Sequence, residues 1–376
     1  MLFPELSLWL RVLLAIAVAL AVSFGTTPIV KVFAQKVGAM DVPDHKRHIH
    51  DHPTPRMGGM AIFLGFLISV VLFVELTPQV QGILIGAVII VATGVVDDII
   101  SLRYWMKLIA QLLAAVIVVA HGVMIRFLMN PNIFSQETTV FFGTLISVPV
   151  TVLWIVGVTN AVNLIDGLDG LACGVSAISS VTMLVSALLV AEPNVAILLA
   201  ALAGGCLGFI PYNFNPAKIF MGDTGALLLG YVLATVSILG LFKFYAVMTF
   251  LAPVLALALP LFDTAFAIIR RLLRGQNPMK PDRGHLHHRL IDHGLSQKQA
   301  VAVLYSLSAM MGLTAVVICT TGKLRLLLLL IELGVAVAVG IFVYETIEHP
   351  AGASRASTKR PARPDPKPPA RKEDRP

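Results

Sequence analysis

Charge is what this sequence has least of. Asp, Glu, Lys and Arg make up 13% of the 376 residues, against about 25% in soluble globular domains. With 57% hydrophobic residues and a mean hydropathy of +0.85, the chain has too few polar side chains to cover an ordinary soluble core. Cysteine is nearly as scarce. Cys173, Cys206 and Cys319 stand in apolar stretches without a CxxC or CxxxC spacing, which excludes a disulfide framework and a zinc ribbon and leaves them as small packing residues. No GxxxxGK[ST] loop occurs, so the phosphate cradle of an ATP-driven transporter is missing. Nor does an internal repeat of the kind found in many secondary transporters stand out.

What is there is a succession of long apolar runs. They lie at about 8–33, 58–76, 80–96, 106–121, 140–158, 171–191, 195–212, 224–241, 246–269, 301–320 and 324–344, each near the roughly 20 residues a helix needs to cross a bilayer. The fourth is short, which makes ten the nearest competing count. The expected fold is an all-α membrane protein, a polytopic bundle of about 11 transmembrane helices. Lys and Arg set its orientation: 23 of 28 fall on one side, which the positive-inside rule makes cytoplasmic. The N-terminus is then outside and the C-terminus cytoplasmic. The first run reads as a retained span, because its leading flank has no net positive charge. Residues 1–349 form one transmembrane domain. Residues 350–376 are a basic, Pro-rich cytoplasmic tail of the composition that stays disordered.

On this topology the polar clusters converge. Asp97-Asp98, NAVNLIDGLDGLA (160–172), PAKIFMGDTG (216–225), HKRHIHDHPTPRMGG (45–59) and PDRGHLHHR (281–289) all begin or end an apolar run on the cytoplasmic side. Acids at the edge of the hydrocarbon are costly and read by default as a site. Asp97 and Asp98 close a helix at its C-terminal end, where the dipole disfavours negative charge, so they call for a cationic partner. Within 160–169 the polar residues recur every third position, a spacing that drifts by about 60° per step on a helix. Asn163 and Asp166 can share a face and form the core pair; Asn160 and Asp169 are more open to a plain role in hydrogen bonding at the helix end. Asp223 sits at a helix N-cap position between two glycines, and with the other acids it suits a hard cation. Oxygen ligands point to magnesium or manganese rather than zinc. Arg283, His285, His287 and His288 form a donor-rich loop suited to phosphate, and His45, Lys46 and Arg56 offer donors to an anion at headgroup depth. Acids for a metal facing bases for phosphates, at a membrane surface, are the parts of a phosphoryl transfer between a soluble diphosphate and a lipid phosphate.

At these residues the chain resembles the polyprenyl-phosphate N-acetylhexosamine-1-phosphate transferases, the family of WecA, TagO and MraY. The likeness runs in order through PTPRMGG, Asp97-Asp98, NAVNLIDGLDGLA, PAKIFMGDTG and HLHH, leaving out the last two apolar runs and the tail. The resemblance implies transfer of a sugar-1-phosphate from a UDP-sugar to undecaprenyl phosphate, with Mg²⁺ and release of UMP. It carries a metal-binding acid onto Asp223, an Asn and two acids onto Asn163, Asp166 and Asp169, paired acids onto Asp97 and Asp98, and a His motif onto His285, His287 and His288. MraY-type enzymes have three adjacent histidines, whereas Leu286 here interrupts them, so the likeness favours UDP-N-acetylglucosamine over the muramoyl-pentapeptide.

The expectation is therefore an enzyme that makes undecaprenyl-diphospho-N-acetylglucosamine and starts a cell-envelope glycopolymer, such as teichoic acid or O-antigen, at the bacterial cytoplasmic membrane. Catalytic residues would be Asp97, Asp98, Asp166 and Asp223; metal ligands Asp223, Asp98 and Asn163, with Mn²⁺ able to replace Mg²⁺. The UDP-sugar would meet Asn163, Asp169, Arg283, His285, His287 and His288, and the lipid phosphate His45, Lys46 and Arg56. Partners are the two substrates and membrane lipid, compatible with a homodimer and without nucleic acid. The alternatives are an MraY-type transferase and, from another class, a cation-coupled transporter of a phosphorylated solute. Whether Asp97 or Asp98 is a base, a covalent nucleophile or only positions the metal and lipid phosphate stays open at this point.

Overall fold

The computed structural model describes residues 2–41, 53–129, 139–240, 247–275, 285–320 and 322–348. His45, Lys46, Arg283 and the C-terminal tail lie outside these residues. The helices are α1 (Leu8–Val37), α2 (Gly59–Phe73), α3 (Pro78–Ile100), α4 (Tyr104–Ala120), α5 (Thr144–Ile165), α6 (Leu171–Leu189), α7 (Pro193–Asn213), α8 (Gly222–Gly240), α9 (Val247–Ala256), α10 (Ala258–Leu273), α11 (Leu286–Asp292), α12 (Gln297–Ile318) and α13 (Gly322–Glu348). Ten of the eleven apolar runs each coincide with one helix. The ninth is broken into α9 and α10. Among the described residues, seven helices have the length and apolarity to cross a membrane, and α2 and α4 are shorter apolar helices. The chain is a multi-pass, all-α membrane protein.

Local chemistry sets the helix ends. Ser7 caps α1, its hydroxyl accepting from the Leu10 amide, and Gly38 closes the helix in the left-handed conformation. Thr77 caps α3 in the same way, with Pro78 in the first turn, where its missing N–H costs nothing. The break between α9 and α10 follows from Pro260, which cannot donate to the carbonyl of Ala256 and whose ring crowds it. That carbonyl is not left bare: the Ser179 hydroxyl donates to it at 2.6 Å, as the membrane interior requires.

Small residues hold the bundle together, because lipid tails are as apolar as Leu and give no hydrophobic drive for one helix to prefer another. A Cβ on Gly204 would lie 2.4 Å from the Ile16 carbonyl oxygen of α1, and one on Gly230 would lie 2.7 Å from Thr159 Cα of α5. Two such contacts aim α8 at the site: Gly59 of α2 against Gly225, and Gly94 of α3 against Thr224. Buried polar side chains lock the remaining register. Asn160 and Gln111 pair across α5 and α4, with Asn160 Nδ2 donating to Gln111 Oε1 at 2.6 Å, and Tyr231 donates to the Ile83 carbonyl at 3.2 Å. Asn160 thus belongs to the packing of the bundle.

Candidate active site

At one end of the bundle the chain from Thr54 to Gly59 runs beside the segment that leads into α8. Two short strands, Met40–Asp41 and Thr54–Pro55, pair antiparallel. Phe220 N–H donates to the Pro55 carbonyl at 2.8 Å, Gly58 N–H to the Phe220 carbonyl at 3.0 Å and Gly59 N–H to the Met221 carbonyl at 2.9 Å. The sequence motifs PTPRMGG and FMGDTG are therefore one backbone unit. The glycines at 58 and 59 are needed for the approach, since a Cβ on Gly58 would meet Phe209 at 2.3 Å and one on Gly59 would meet Gly225 at 2.1 Å.

Asp223 emerges from this unit in the first turn of α8. Lys107 Nζ lies 2.6 Å from its Oδ2 and 3.3 Å from Oδ2 of Asp97, while Asn163 Nδ2 donates to Asp223 Oδ1 at 3.2 Å. Asp97 also ends its own helix: its Oδ1 accepts from Leu102 N–H at 2.7 Å, closing the left-handed turn at Ser101. The cationic partner required by acids at the α3 C-terminus is thus a lysine in the opening turn of α4.

Asp98 has a different position from the one its sequence suggests. It is 6% exposed and accepts from Asp223 N–H at 3.0 Å, Thr224 N–H at 3.2 Å and the Thr224 hydroxyl at 2.6 Å. It caps the α8 N-terminus from a neighbouring helix, a favourable place for an anion. Gly222 leaves room for it, because a Cβ there would lie 2.4 Å from the carboxylate. Asp98, expected as a metal ligand, bonds the N-terminus of the helix that carries Asp223.

A cavity of about 310 Å³ opens beside these residues, with Asp41, Arg56, Asn163, Asp166, Asp169, Asp223 and His288 on its walls. Arg56 is held at 2.9 Å by Asp41. Asn163 and Asp166 share the cavity, as their spacing predicts. Asp169 borders it too, but its Oδ2 accepts from Asn215 Nδ2 and Ala217 N–H, both at 3.0 Å; it fastens the NLIDGLDG turn to the loop before α8. Burial, reinforced by the negative charges of Asp223 and Asp98, pushes the Asp166 carboxyl up to about 8, with Arg56 acting in the opposite direction. Among the described residues its walls carry four acids and one arginine.

The His motif divides. His285 and His287 are buried, and only His288 reaches the cavity. His287 packs on the NLIDGLDG turn, where a Cβ on Gly167 would come within 2.3 Å of its Nε2. Burial, helped by His288, holds its imidazole down at about 4, so it is neutral at pH 7 and packs without an ion's desolvation cost.

Sequence reasoning missed three groups. Lys107 had a signal, a cation at the N-terminal end of a helix where the dipole disfavours it. Asp263 had one too, an acid inside an apolar run; it accepts from His285 Nδ1 at 2.9 Å. Asp41 had none, since only the short hairpin brings it to Arg56. As for a metal, no three His, Cys, Asp or Glu side chains converge into a cage among the described residues. The donor set that does converge, Asp223 with Asp166 and the Asn163 amide, fits Mg²⁺, which is held by one or two carboxylates together with substrate phosphate and water.

Residues 80–241 match the family model described as glycosyl transferase family 4. The chain is 42% identical to the probable undecaprenyl-phosphate N-acetylglucosaminyl 1-phosphate transferase of Bacillus subtilis, covering 82% of this chain and 85% of that one. It is 33% identical to the decaprenyl-phosphate N-acetylglucosaminephosphotransferase of Mycolicibacterium smegmatis, over 76% and 77% of the two chains. A phospho-N-acetylmuramoyl-pentapeptide-transferase of Heliobacterium modesticaldum is 36% identical over 52% of this chain and 63% of its own.

Proposed function

This chain belongs to glycosyl transferase family 4, and from that premise we propose that it moves N-acetylglucosamine-1-phosphate from UDP-N-acetylglucosamine to undecaprenyl phosphate, releasing UMP. The observation that carries the reading is the meeting of Asn163, Asp166 and Asp223 with Arg56 and His288 on one cavity, with Lys107 bonded to Asp223 from behind. The relatives named for N-acetylglucosamine transfer cover 82% and 76% of this chain, whereas the muramoyl-pentapeptide relatives cover 52% and 62% of it. The interrupted His motif agrees with that ranking.

Each residue has a task in this reaction. The acceptor phosphate has a second pKa near 6 and is mostly dianionic at neutral pH, so its oxygen attacks the sugar-linked phosphorus directly and no base is required. Arg56 and His288 supply the donors that hold the phosphates in line, and Lys107 holds Asp97 and Asp223 from behind. Asp223, with Asn163 and Asp166, would hold Mg²⁺, which would supply positive charge against the diphosphate. Asp98 keeps the α8 N-terminus, and hence Asp223, in place. The lipid approaches from the membrane side, where Phe262, Phe266, Ile269 and Leu286 line an apolar groove with Arg289 at its edge. Arg270 and Arg289 stand 5.7 and 5.6 Å from the Phe266 ring, and we assign this groove to the first isoprene units. His45 and Lys46 are kept as lipid-phosphate donors on sequence grounds.

Purified protein in detergent should release UMP from UDP-N-acetylglucosamine only when undecaprenyl phosphate is present, and far faster than from the UDP-muramoyl-pentapeptide. EDTA should stop the reaction and Mg²⁺ or Mn²⁺ restore it. The opposite substrate ranking would move the protein to the pentapeptide branch, and full activity in EDTA would remove the metal.

We place the site on the cytoplasmic face of the inner membrane, with eleven spans and an external N-terminus. In a variant lacking the three native cysteines, a thiol at Asp292 should be shielded from an impermeant reagent applied to intact cells, while one at Pro193 should react. Labelling at Asp292 alone would invert the orientation and part the site from cytoplasmic nucleotide sugars.

A further inference from the structure

Asp263 is the sixth residue of α10, within an apolar segment where an acid carries a cost. Its place in α10 gives it no cap to serve. Instead each of its oxygens takes a donor from α11: Oδ2 from His285 Nδ1 at 2.9 Å and Oδ1 from the Leu286 backbone N–H at 2.8 Å. The carboxylate and the imidazole are 7% and 6% exposed, so water does not compete for the pair. His285 stands at the N-cap position of α11 yet caps nothing with its own side chain. The cap comes from the other helix.

The consequence runs along α11. Seven residues are too few for a helix to hold itself in water, so its orientation depends on what grips its ends. Asp263 grips the first residue. From there the His287 ring lies parallel to His285, with centroids 5.8 Å apart and planes 7° apart, and seats on Gly167. His288 follows, 4.2 Å from His287, and reaches the cavity. With Nδ1–H donated to Asp263, His285 is held in one tautomer.

We propose that Asp263 is a positioning residue of the transfer reaction: by clasping His285 and the first amide of α11, it sets the register that brings His288 to the diphosphate of the nucleotide sugar. The proposal rests on the reading of the protein as a UDP-N-acetylglucosamine transferase. Asp263 borders the groove assigned to the isoprene units, and it acts on the nucleotide sugar through His285.

The Asp263→Asn side chain fills the same space but carries no charge and turns an amide toward one of the two donors. In detergent, with both substrates varied, it should lower kcat/KM for UDP-N-acetylglucosamine roughly tenfold to hundredfold, as loss of a charge-assisted hydrogen bond does, and shift KM for undecaprenyl phosphate far less. His285→Ala should do the same, and the double variant should be no worse than the weaker single one, because both remove a single coupling. Wild-type kinetics in Asp263→Asn, or additive losses in the double variant, overturn the proposal. If Asp263→Asn does not extract folded, ¹⁵N-histidine spectra of the unsubstituted protein decide: a resonance protonated at Nδ1 and missing in His285→Ala is expected, and an Nε2-protonated His285 refutes it. A wild-type protein that releases no UMP would instead refute the assigned reaction, and the spectra would still test the clasp.

Discussion

Asp223→Asn should cut UMP release by on the order of 10³-fold or more, the size of loss seen when a group that stabilises transition-state charge is removed, while the protein extracts and elutes as wild type does. The two expectations go together because the substitution spares the anchor. Asp98 bonds the backbone N–H of residue 223 and both donors of Thr224, and an Asn side chain leaves all three intact. What it removes is the charge 2.6 Å from Lys107 and one oxygen of the carboxylate proposed to hold Mg²⁺. Turnover near the wild-type rate would reduce Asp223 to a helix-start residue. Aggregation on extraction would make it structural.

Lys107→Met should lower kcat by on the order of 10²-fold. Two carboxylates lose the lysine that lies 2.6 and 3.3 Å from them, and a charge-assisted hydrogen bond is worth about 1.5–3 kcal/mol. Lys107→Arg should restore only part of the rate. A guanidinium is broader than the compact ammonium that bridges Asp97 and Asp223, and it presents a planar fork rather than a point charge. Steady-state rates over a Mg²⁺ series check this. If Lys107→Met keeps full activity at every Mg²⁺ concentration, the lysine is a neutraliser of surface acids with no part in transfer.

The site was legible to different depths. Asn163, Asp166 and Asp223 were readable because polar groups at membrane-span ends break a pattern that the bilayer otherwise enforces, and helical spacing already separated Asn160 and Asp169 from Asn163 and Asp166. In the structure Asn160 pairs with Gln111, whereas Asp169 lines the cavity with Asn163 and Asp166 and also bonds the loop before α8. Asp98 could not be told from Asp97 in sequence. Adjacent residues on a helix point about 100° apart, and only the packing of α3 on α8 decides that one faces a lysine and the other a helix end. The three histidines read as one donor cluster, yet two are buried and one meets the cavity, because α11 is clasped between Asp263 and Gly167.

The sequence by itself determined that this chain lives in a membrane, that it is helical there, and that its polar clusters gather at one face. These follow from the transfer free energy of each segment and from the placement of basic residues, which are local quantities that can be summed along the chain. The tertiary structure alone decided the pairings: Lys107 with Asp97 and Asp223, Asp98 with the α8 N-terminus, Asp263 with His285, and the strand-like contact of Pro55–Gly59 with Phe220–Met221. Partners 10 to 165 residues apart in the chain meet only after Gly59, Gly94 and Gly230 let backbones approach within side-chain distance. A contact of that kind depends on the shapes of two helices at once, and no hydropathy or periodicity measured along one of them contains it.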